Sequence, residues 1–346
     1  PPQEKPVVIG EEKYQYHVDG ENGWVKESSP QGEKKYSIEY AIGGRNAQFF
    51  LTELAKGKLQ VLPVAYDTQG KFWYDMAKAG MRHFDDIPEE AYHWTEWPFT
   101  FNTSCRGCHV SQFENKYDLK TGQYTTTWGE PGINCEACHG SAKEHVEFVL
   151  ANPGVHDYSK VKIETISQKR GFSAEAVNSN CLICHTKGGA ITAAFHPGDE
   201  YFDHYDLTTL EHADFYPDGR DLGENYTYTT WLQSPCVKES QLDCVHCHTS
   251  SGRNRFVGAN ANQSCMPCHS SKVEDPTKHT FHKVDSEGSK CVNCHMPTTR
   301  FAAMTRSDHS MRPPMPTLSE KFKSPNACNL CHADQTIEWA DQHVRQ

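Results

Sequence analysis

The chain has 346 residues, enough for one large domain or two average ones, and its formal net charge of -11 argues against a nucleic-acid partner. Hydrophobic residues make up only 36% of the sequence, and the mean hydropathy is -0.73. The 11% of aromatic residues and the 15 cysteines argue against disorder. Something other than aliphatic side chains must therefore fill the core. No apolar run approaches the length of a transmembrane helix.

Residues 1–95 contain no cysteine and predict a small antiparallel β-module. Hairpin signals, alternating apolar residues and short apolar runs are typical of paired strands. The predicted elements are a hairpin at Asp19-Gly20 and Asn22-Gly23, a strand over Tyr36–Ile42, a turn at Gly43-Gly44, and strands over Gln48–Leu54 and Lys58–Ala65 separated by Lys56-Gly57.

Residues 96–346 carry seven copies of the pattern Cys-x-x-Cys-His, which use 14 of the 15 cysteines. Chance would produce about 0.04 such motifs at this composition. Numbered motif 1 to motif 7 in chain order, their cysteine pairs are Cys105 and Cys108, Cys135 and Cys138, Cys181 and Cys184, Cys244 and Cys247, Cys265 and Cys268, Cys291 and Cys294, and Cys328 and Cys331.

The motif predicts covalent attachment of haem c. Two thiols three positions apart match the two vinyl groups of a haem, and the next histidine places its imidazole under the iron as the proximal ligand. Structural zinc would not need a histidine after every second cysteine, and a disulfide framework does not explain the histidines. We therefore expect seven haems, with the proximal ligands His109, His139, His185, His248, His269, His295 and His332.

Thirteen further histidines could supply the second, distal ligand of each iron. The candidates that context favours are His93, His145, His212, His246, His279, His282 and His309. The others are His17, His83, His156, His196, His204 and His343.

Several of these candidates carry a local argument. His145 lies in a helix predicted over Ser141–Leu150, turned away from the haem that His139 would hold, so it would serve a neighbour. His246 faces away from its own iron. His279 and His282 are three apart after Pro276, which predicts one helical face. Asp308 could orient His309.

Other residues leave alternatives open. His17 is either a surface strand histidine or a ligand donated to a neighbouring subunit. Cys236, the cysteine outside the motifs, is a buried free thiol, half of an intermolecular disulfide or an iron ligand. Met304, Met311 and Met315 fill the core or serve as axial ligands.

The remaining segments predict little regular structure. The stretch from His196 to Tyr228 is expected to be a long solvated loop, with calcium binding as the alternative for its acidic groups. A short helix is expected over Thr336–Arg345. With about 49 residues per haem the chain is too short to wrap each haem separately, so the haems should pack against one another. The expected fold is mostly irregular with short α-helices around packed haems, plus the N-terminal module.

Longer sequence features carry a family resemblance. They are Trp128–Asn134 leading into motif 2, Tyr216–Tyr226, Cys294–Pro297, Asp308–Ser310 and Ser324–Cys328. Here the chain resembles a widespread family of bacterial and archaeal multihaem c-type cytochromes, often fused to tetratricopeptide repeats. More loosely, it is similar to surface cytochromes of metal-reducing microbes, some of which form conductive filaments. The resemblance implies redox proteins or extracellular electron acceptors as partners, and a filament as one form of self-association.

The sequence favours an electron-transfer protein over an enzyme. A multihaem reductase of a nitrogen or sulfur oxyanion needs an iron with an open position, and related reductases often mark it with lysine in place of the motif histidine. All seven motifs here end in histidine. Because haem is attached to thiols outside the cytoplasm, we expect an extracellular, cell-surface or periplasmic protein whose signal peptide is removed before Pro1.

Overall fold

The computed structural model describes residues 3–79, 92–155, 173–192, 194–222, 226–301 and 304–345. Contacts divide the chain into two units, Pro1–Asn134 with Arg300–Thr305, and Cys135–Thr299 with Arg306–Gln346. The first unit therefore contains motif 1 as well as the β-rich leader, whereas the sequence-based division falls before motif 1, at residue 95. None of the helices within the described ranges is long and apolar enough to cross a membrane.

The first sheet is a four-stranded antiparallel meander. Its strands are β1 (Val7–Ile9), β2 (Glu12–Asp19), β3 (Asn22–Ser29) and β4 (Gly32–Ser37), and they are paired in chain order. Asp19 pairs with Asn22 across a two-residue turn, in which Gly20 has a φ of 60°. Such turns favour glycine because their central residues need positive φ. The predicted hairpin at this place is confirmed.

The second sheet has five strands. They are β5 (Tyr40–Gly43), β6 (Ala47–Leu54), β7 (Lys58–Val61), β8 (Val64–Asp67) and β9 (Phe72–Asp75). The end of β6 pairs with β7 and its beginning pairs with β8. Lys56 and Gly57 both have positive φ and make the turn between β6 and β7, as the sequence predicted.

Two of the predicted strands are wrong in extent. The single strand over Tyr36–Ile42 is instead the end of β4 and the start of β5, which belong to different sheets. The run Lys58–Ala65 is two strands broken at Pro63, because proline cannot donate a ladder hydrogen bond. Apolar alternation continued across both breaks and concealed them.

Two apolar clusters form the core of the first unit. One is built around Leu51 and Phe101, and the other around Tyr14 and Val25. The first unit also contains short paired strands at Val110–Ser111 with Glu130–Pro131 and at Tyr117–Asp118 with Gln123–Tyr124, and helices at Met76–Ala79 and Arg106–His109.

The second unit consists of short helices joined by irregular chain. Its described helices are Glu136–His139, Lys143–Ala151, Ala174–His185, Tyr201–His204, Thr227–Trp231, Pro235–Glu239, Cys244–Cys247, Ser270–Glu274, Thr277–Thr280, Cys291–His295, Pro316–Phe322 and Ile337–Val344. Short strands pair at Gly188–Ala190 with Tyr205–Leu207. Two further strands, Thr298–Phe301 and Met304–Ser307, pair with each other, and each is shared between the second unit and the Arg300–Thr305 segment of the first.

Two predicted helices of the second unit are confirmed with shifted ends. The helix expected over Ser141–Leu150 spans Lys143–Ala151. The terminal helix spans Ile337–Val344, and the Thr336 side chain caps it by accepting a hydrogen bond from the Trp339 amide. The expected combination of short helices, irregular chain and an N-terminal antiparallel module therefore describes the fold.

The expectation of a solvated loop from His196 to Tyr228 is wrong. This stretch contains a helix and a strand, and it buries Tyr201, Phe215, Arg220 and Asp221. The polar composition of this stretch suggested exposure to solvent. A charged side chain can nevertheless be buried when charged groups and carbonyl oxygens interact with it. Arg220 donates to the Pro325 carbonyl and lies 3.5 Å from an Asp308 carboxylate oxygen.

Candidate haem-attachment sites

Each motif lies in or beside a single helical turn. Motif 1 overlaps Arg106–His109, motif 3 ends the helix Ala174–His185, and motif 6 fills Cys291–His295. In one helical turn, residues three apart stand on the same side, so the two cysteines of a helical motif face one way. Motif 5 differs, because Met266 is extended between Cys265 and Cys268. The helical motifs therefore present their two thiols side by side, as double attachment to one planar group requires.

Buried amides of the first unit anchor motif 1. The Asn102 side chain accepts a hydrogen bond from the Leu59 amide at 2.7 Å and donates to the Gly57 carbonyl. Gln60 donates to the Trp94 and Glu96 carbonyls. These bonds hold the segment before motif 1 against strand β7. Strand β7 itself packs in the apolar cluster around Leu51 and Phe101.

Three proximal histidines face a second histidine ring. The centroids of His248 and His309 lie 6.3 Å apart, those of His295 and His279 lie 6.1 Å apart, and those of His332 and His282 lie 6.1 Å apart. A metal–imidazole bond of about 2 Å, with about 1 Å from the nitrogen to the ring centre, separates two opposed ligands by about 6 Å. The ring separations fit one iron between the members of each pair.

Backbone carbonyl oxygens hold the Nδ1 atoms of two of the candidate distal rings. Nδ1 of His309 lies 2.9 Å from the Ser307 carbonyl oxygen, and Nδ1 of His282 lies 2.5 Å from that of Thr280. Metal-binding histidines commonly donate one ring N–H to a carbonyl, which leaves Nε2 as the ligand. The donor set therefore fits haem iron, although Ser307, and not Asp308 as expected, orients His309.

Burial favours the neutral form of five of the candidate ligand histidines. It lowers the pKa of His109, His185, His248 and His295, and it lowers the pKa of His309 to about 4. A metal binds the neutral imidazole, so these environments favour the form that ligates.

His279 and His282 reach different proximal histidines, but they do not share a helical face. The helix Thr277–Thr280 ends at Phe281, which has the left-handed φ of 57°. The predicted continuous helix is therefore wrong, because the chain turns between the two histidines. This turn directs one ring to motif 6 and the other to motif 7.

Other distal candidates have different surroundings. Nε2 of His246 lies 3.2 Å from the Ser264 carbonyl, directly before motif 5. His93 is exposed beside Thr95, His145 is exposed on its helix, and Nδ1 of His212 lies 3.3 Å from Asp214. His83 and His156 lie outside the described residues. Their roles as ligands stay predictions.

His17 lies on β2 and stacks on Trp24, with ring centroids 4.1 Å apart. Its Nε2 is buried and makes no hydrogen bond in the structure. His204, one of the further histidines that could supply a distal ligand, is largely buried between Thr192 and Asp199.

The attachment segments of the second unit follow one another in chain order. Asn180, directly before motif 3, donates to the Cys138 carbonyl of motif 2 at 3.4 Å, and Asn178 accepts from the Cys244 amide of motif 4 at 2.9 Å. The same succession continues along the chain: Cys247 lies near Cys265, Cys265 lies near Cys291, and Cys294 lies near Cys328. Motifs 2 to 7 therefore form a series in which each is adjacent to the next.

Two asparagines missed by the sequence analysis contact this series. Asn178 and Asn262 each bind the backbone of the motif that follows their own. Both stand three residues before the first cysteine of a motif, and this shared position was the signal that could have identified them.

Comparison with known proteins agrees with the motifs. Residues 68–140 match the family model described as cytochrome c554 and c-prime. No curated protein matches the sequence. The fold is similar to that of the outer cell wall cytochrome OcwA, with a TM-score of 0.55 and 16% identity, over 85% of this chain and 71% of that one. Both similarities are to cytochromes, and they agree with the covalent haem attachment that the seven motifs predict.

Proposed function

We propose that the chain is a heptahaem cytochrome that carries electrons along its series of attachment segments, with two histidine ligands at each iron. The observation that carries this proposal is the set of three histidine pairs, His248 with His309, His295 with His279, and His332 with His282, each at the spacing of opposed ligands.

The chain's own residues would hold and shield the cofactors. In each motif the two cysteine sulfurs would form thioether bonds to one haem, and the histidine would bind its iron. When bound, haem supplies an iron that takes up and releases one electron. The adjacency of successive motifs in the second unit supports transfer along the chain, because groups attached at adjacent segments are close to one another.

The paired rings favour this function over the alternative, a reductase of a small nitrogen or sulfur oxyanion. A reductase needs an open coordination position for its substrate. At motifs 4, 6 and 7 a second imidazole lies where that substrate would bind.

The test is removal of single distal ligands from the holoprotein. We expect His309→Ala, His279→Ala and His282→Ala each to convert one low-spin ferric iron to a high-spin, cyanide-binding iron. His196→Ala serves as a control, because His196 is not among the favoured ligand candidates and its side chain is 65% exposed. Absorption and electron paramagnetic resonance spectra check this. Unchanged low-spin spectra in all three variants would contradict the ligand assignment, and a cyanide-binding iron in the unaltered protein would favour the reductase.

The proposed number of haems rests on the seven complete motifs. The denatured protein should carry seven covalent haem masses, and any other number would contradict the proposal. Attachment of haem c also places the mature protein outside the cytoplasm, either extracellular or periplasmic. Other redox proteins or extracellular electron acceptors would be its partners.

Assembly into filaments through His17 stays a prediction of the sequence. The structure adds one condition to it, because the His17 ring stacks on Trp24 and its Nε2 is covered. Donation of this ring to a neighbouring subunit requires that it leave Trp24.

A further inference from the structure

Asn178 joins motif 3 to motif 4 by two hydrogen bonds to the backbone, and its Oδ1 also accepts from the Cys244 thiol at 3.0 Å. Its Oδ1 accepts from the Cys244 amide at 2.9 Å, and its Nδ2 donates to the Leu242 carbonyl at 3.4 Å. Asn178 stands three residues before Cys181, the first cysteine of motif 3. The bonds therefore fasten the approach to one motif onto the start of the next.

Asn262 repeats this arrangement between motifs 5 and 6. Its Oδ1 accepts from the Cys291 amide at 2.9 Å, and its Nδ2 donates to the Ser289 carbonyl at 2.9 Å. Asn262 stands three residues before Cys265. In both cases the bonded residues are the first cysteine of the following motif and the residue two positions before it. The same kind of connection therefore occurs in two pairs of motifs.

The chemistry of the side chain explains why asparagine occupies both positions. Cys244 and Cys291 begin helices, and amides in the first turn of a helix have no partner within the helix. The asparagine oxygen satisfies this donor from another segment, while the asparagine amide nitrogen satisfies the nearby carbonyl. A carboxylate could only accept, and leucine could do neither.

The first cysteines on the two sides of each connection are neighbours, Cys181 beside Cys244 and Cys265 beside Cys291. Each asparagine therefore controls how far apart two consecutive attachment segments lie.

We propose that Asn178 and Asn262 are equivalent positioning residues, which set the spacing of the haem pairs carried by motifs 3 and 4 and by motifs 5 and 6. This inference rests on the proposed haem-binding function. In this proposal the electron path contains a repeating unit of two motifs, and one asparagine side chain holds the two motifs of each unit together.

The experiment compares Asn178→Leu and Asn262→Leu with the unaltered holoprotein. Leucine keeps the approximate size and removes both hydrogen bonds to the backbone. Proteolytic mapping of haem-carrying peptides reports occupancy at each motif, and electron paramagnetic resonance of the ferric protein reports magnetic coupling between neighbouring irons. Asn152→Leu is the matched control, because the exposed Asn152 side chain donates only to the Phe148 carbonyl of its own helix.

We expect Asn178→Leu to weaken coupling or reduce occupancy at motifs 3 and 4 alone, and Asn262→Leu to do so at motifs 5 and 6 alone. The control should change neither. If the leucine variants yield no holoprotein, Asn178→Asp and Asn262→Asp, which keep the acceptor and lose the donor, should give a smaller effect at the same motifs.

Full haem occupancy with unchanged coupling in the variants would overturn the positioning role while leaving the proposed function intact. Haem loss spread evenly over all motifs would also overturn it, since this would indicate a general folding defect. Unaltered protein without haem at these four motifs would overturn both proposals.

Discussion

The two units of the chain bury different kinds of side chain. Of the buried hydrophobic residues among those described, 15 lie in the first unit and 6 in the second. Both apolar clusters belong to the first unit. Buried polar residues are distributed in the opposite way, with 8 in the first unit and 13 in the second.

This difference indicates two ways of building a core. The first unit folds two sheets around aliphatic and aromatic side chains, which drive folding by leaving water. The second unit carries six of the seven motifs and supplies few such side chains. Covalently attached haems would provide the apolar surface that the chain lacks there, so attachment and folding should be coupled in the second unit and independent in the first.

The largest expected effect comes from preventing haem attachment. Replacing both cysteines by alanine in motifs 2 to 7 should abolish most of the helical circular dichroism, because the second unit loses its source of apolar burial. The β-signal of the first unit should persist. A variant altered only at Cys105 and Cys108 is the control and should keep the helical signal. Retention of full helicity in the first variant would contradict the coupling of attachment and folding.

A smaller effect is expected in the apolar core of the first unit. Leu51 is 1% exposed, and Leu51→Ala should lower the free energy of unfolding of this unit by about 3 kcal/mol. Denaturation followed by tryptophan fluorescence measures it, with haem absorption recorded in parallel. The spectra of motifs 2 to 7 should stay unchanged. Loss of haem from the second unit would show that the two cores are not independent.

Sequence reasoning succeeded where the determinants are local. The haem motifs, the hairpin at Asp19-Gly20 and the short terminal helix each depend on a few neighbouring residues, and the structure contains the hairpin and the helix. Sequence reasoning failed where distant segments decide the outcome. The division of Tyr36–Ile42 between two sheets and the burial of Asp221 depend on tertiary packing.

The candidate ligands divide in the same way. The sequence identified His279, His282 and His309 as candidate distal ligands, but it did not identify the motif histidine that each of them faces. The pairing with His248, His295 and His332 emerges only when loops bring segments up to about sixty residues apart into contact, as the 6.1 to 6.3 Å ring separations show.

The buried charges of the second unit predict a pH dependence that the first unit should lack. Burial, with a contribution from Asp308, raises the pKa of Asp221 to about 8, while Lys187 and Arg306 act in the opposite direction. The folded protein therefore holds a proton that the unfolded chain releases above about pH 4. The associated stability is present below that pH and is lost as the pH rises towards 8.

Asp221→Asn should remove this dependence, which amounts to at most about 1.4 kcal/mol for each pH unit in that window. The denaturation midpoint measured between pH 5 and 9 should fall less steeply in the variant than in the unaltered protein. Asp203→Asn, at an exposed position of the same unit, is the control and should leave the slope unchanged. Equal slopes for Asp221→Asn and the unaltered protein would show that Asp221 is ionised throughout.

The smallest effect is expected for substitution of His17, which would bind a haem iron only in a neighbouring subunit. The stacked pair with Trp24 leads us to expect that His17→Ala lowers the stability of the first unit by about 1 kcal/mol. Because Nε2 is covered, the haem spectra and the sedimentation of the protein should not change. Sedimentation over a range of protein concentrations, with spectra recorded at each, is the measurement. A filament joined through His17 would behave differently: the unaltered protein would grow with concentration, and the variant would remain small and show one high-spin iron. That outcome would mean that the first unit, which already carries motif 1, also donates a ligand to a haem of a neighbouring chain.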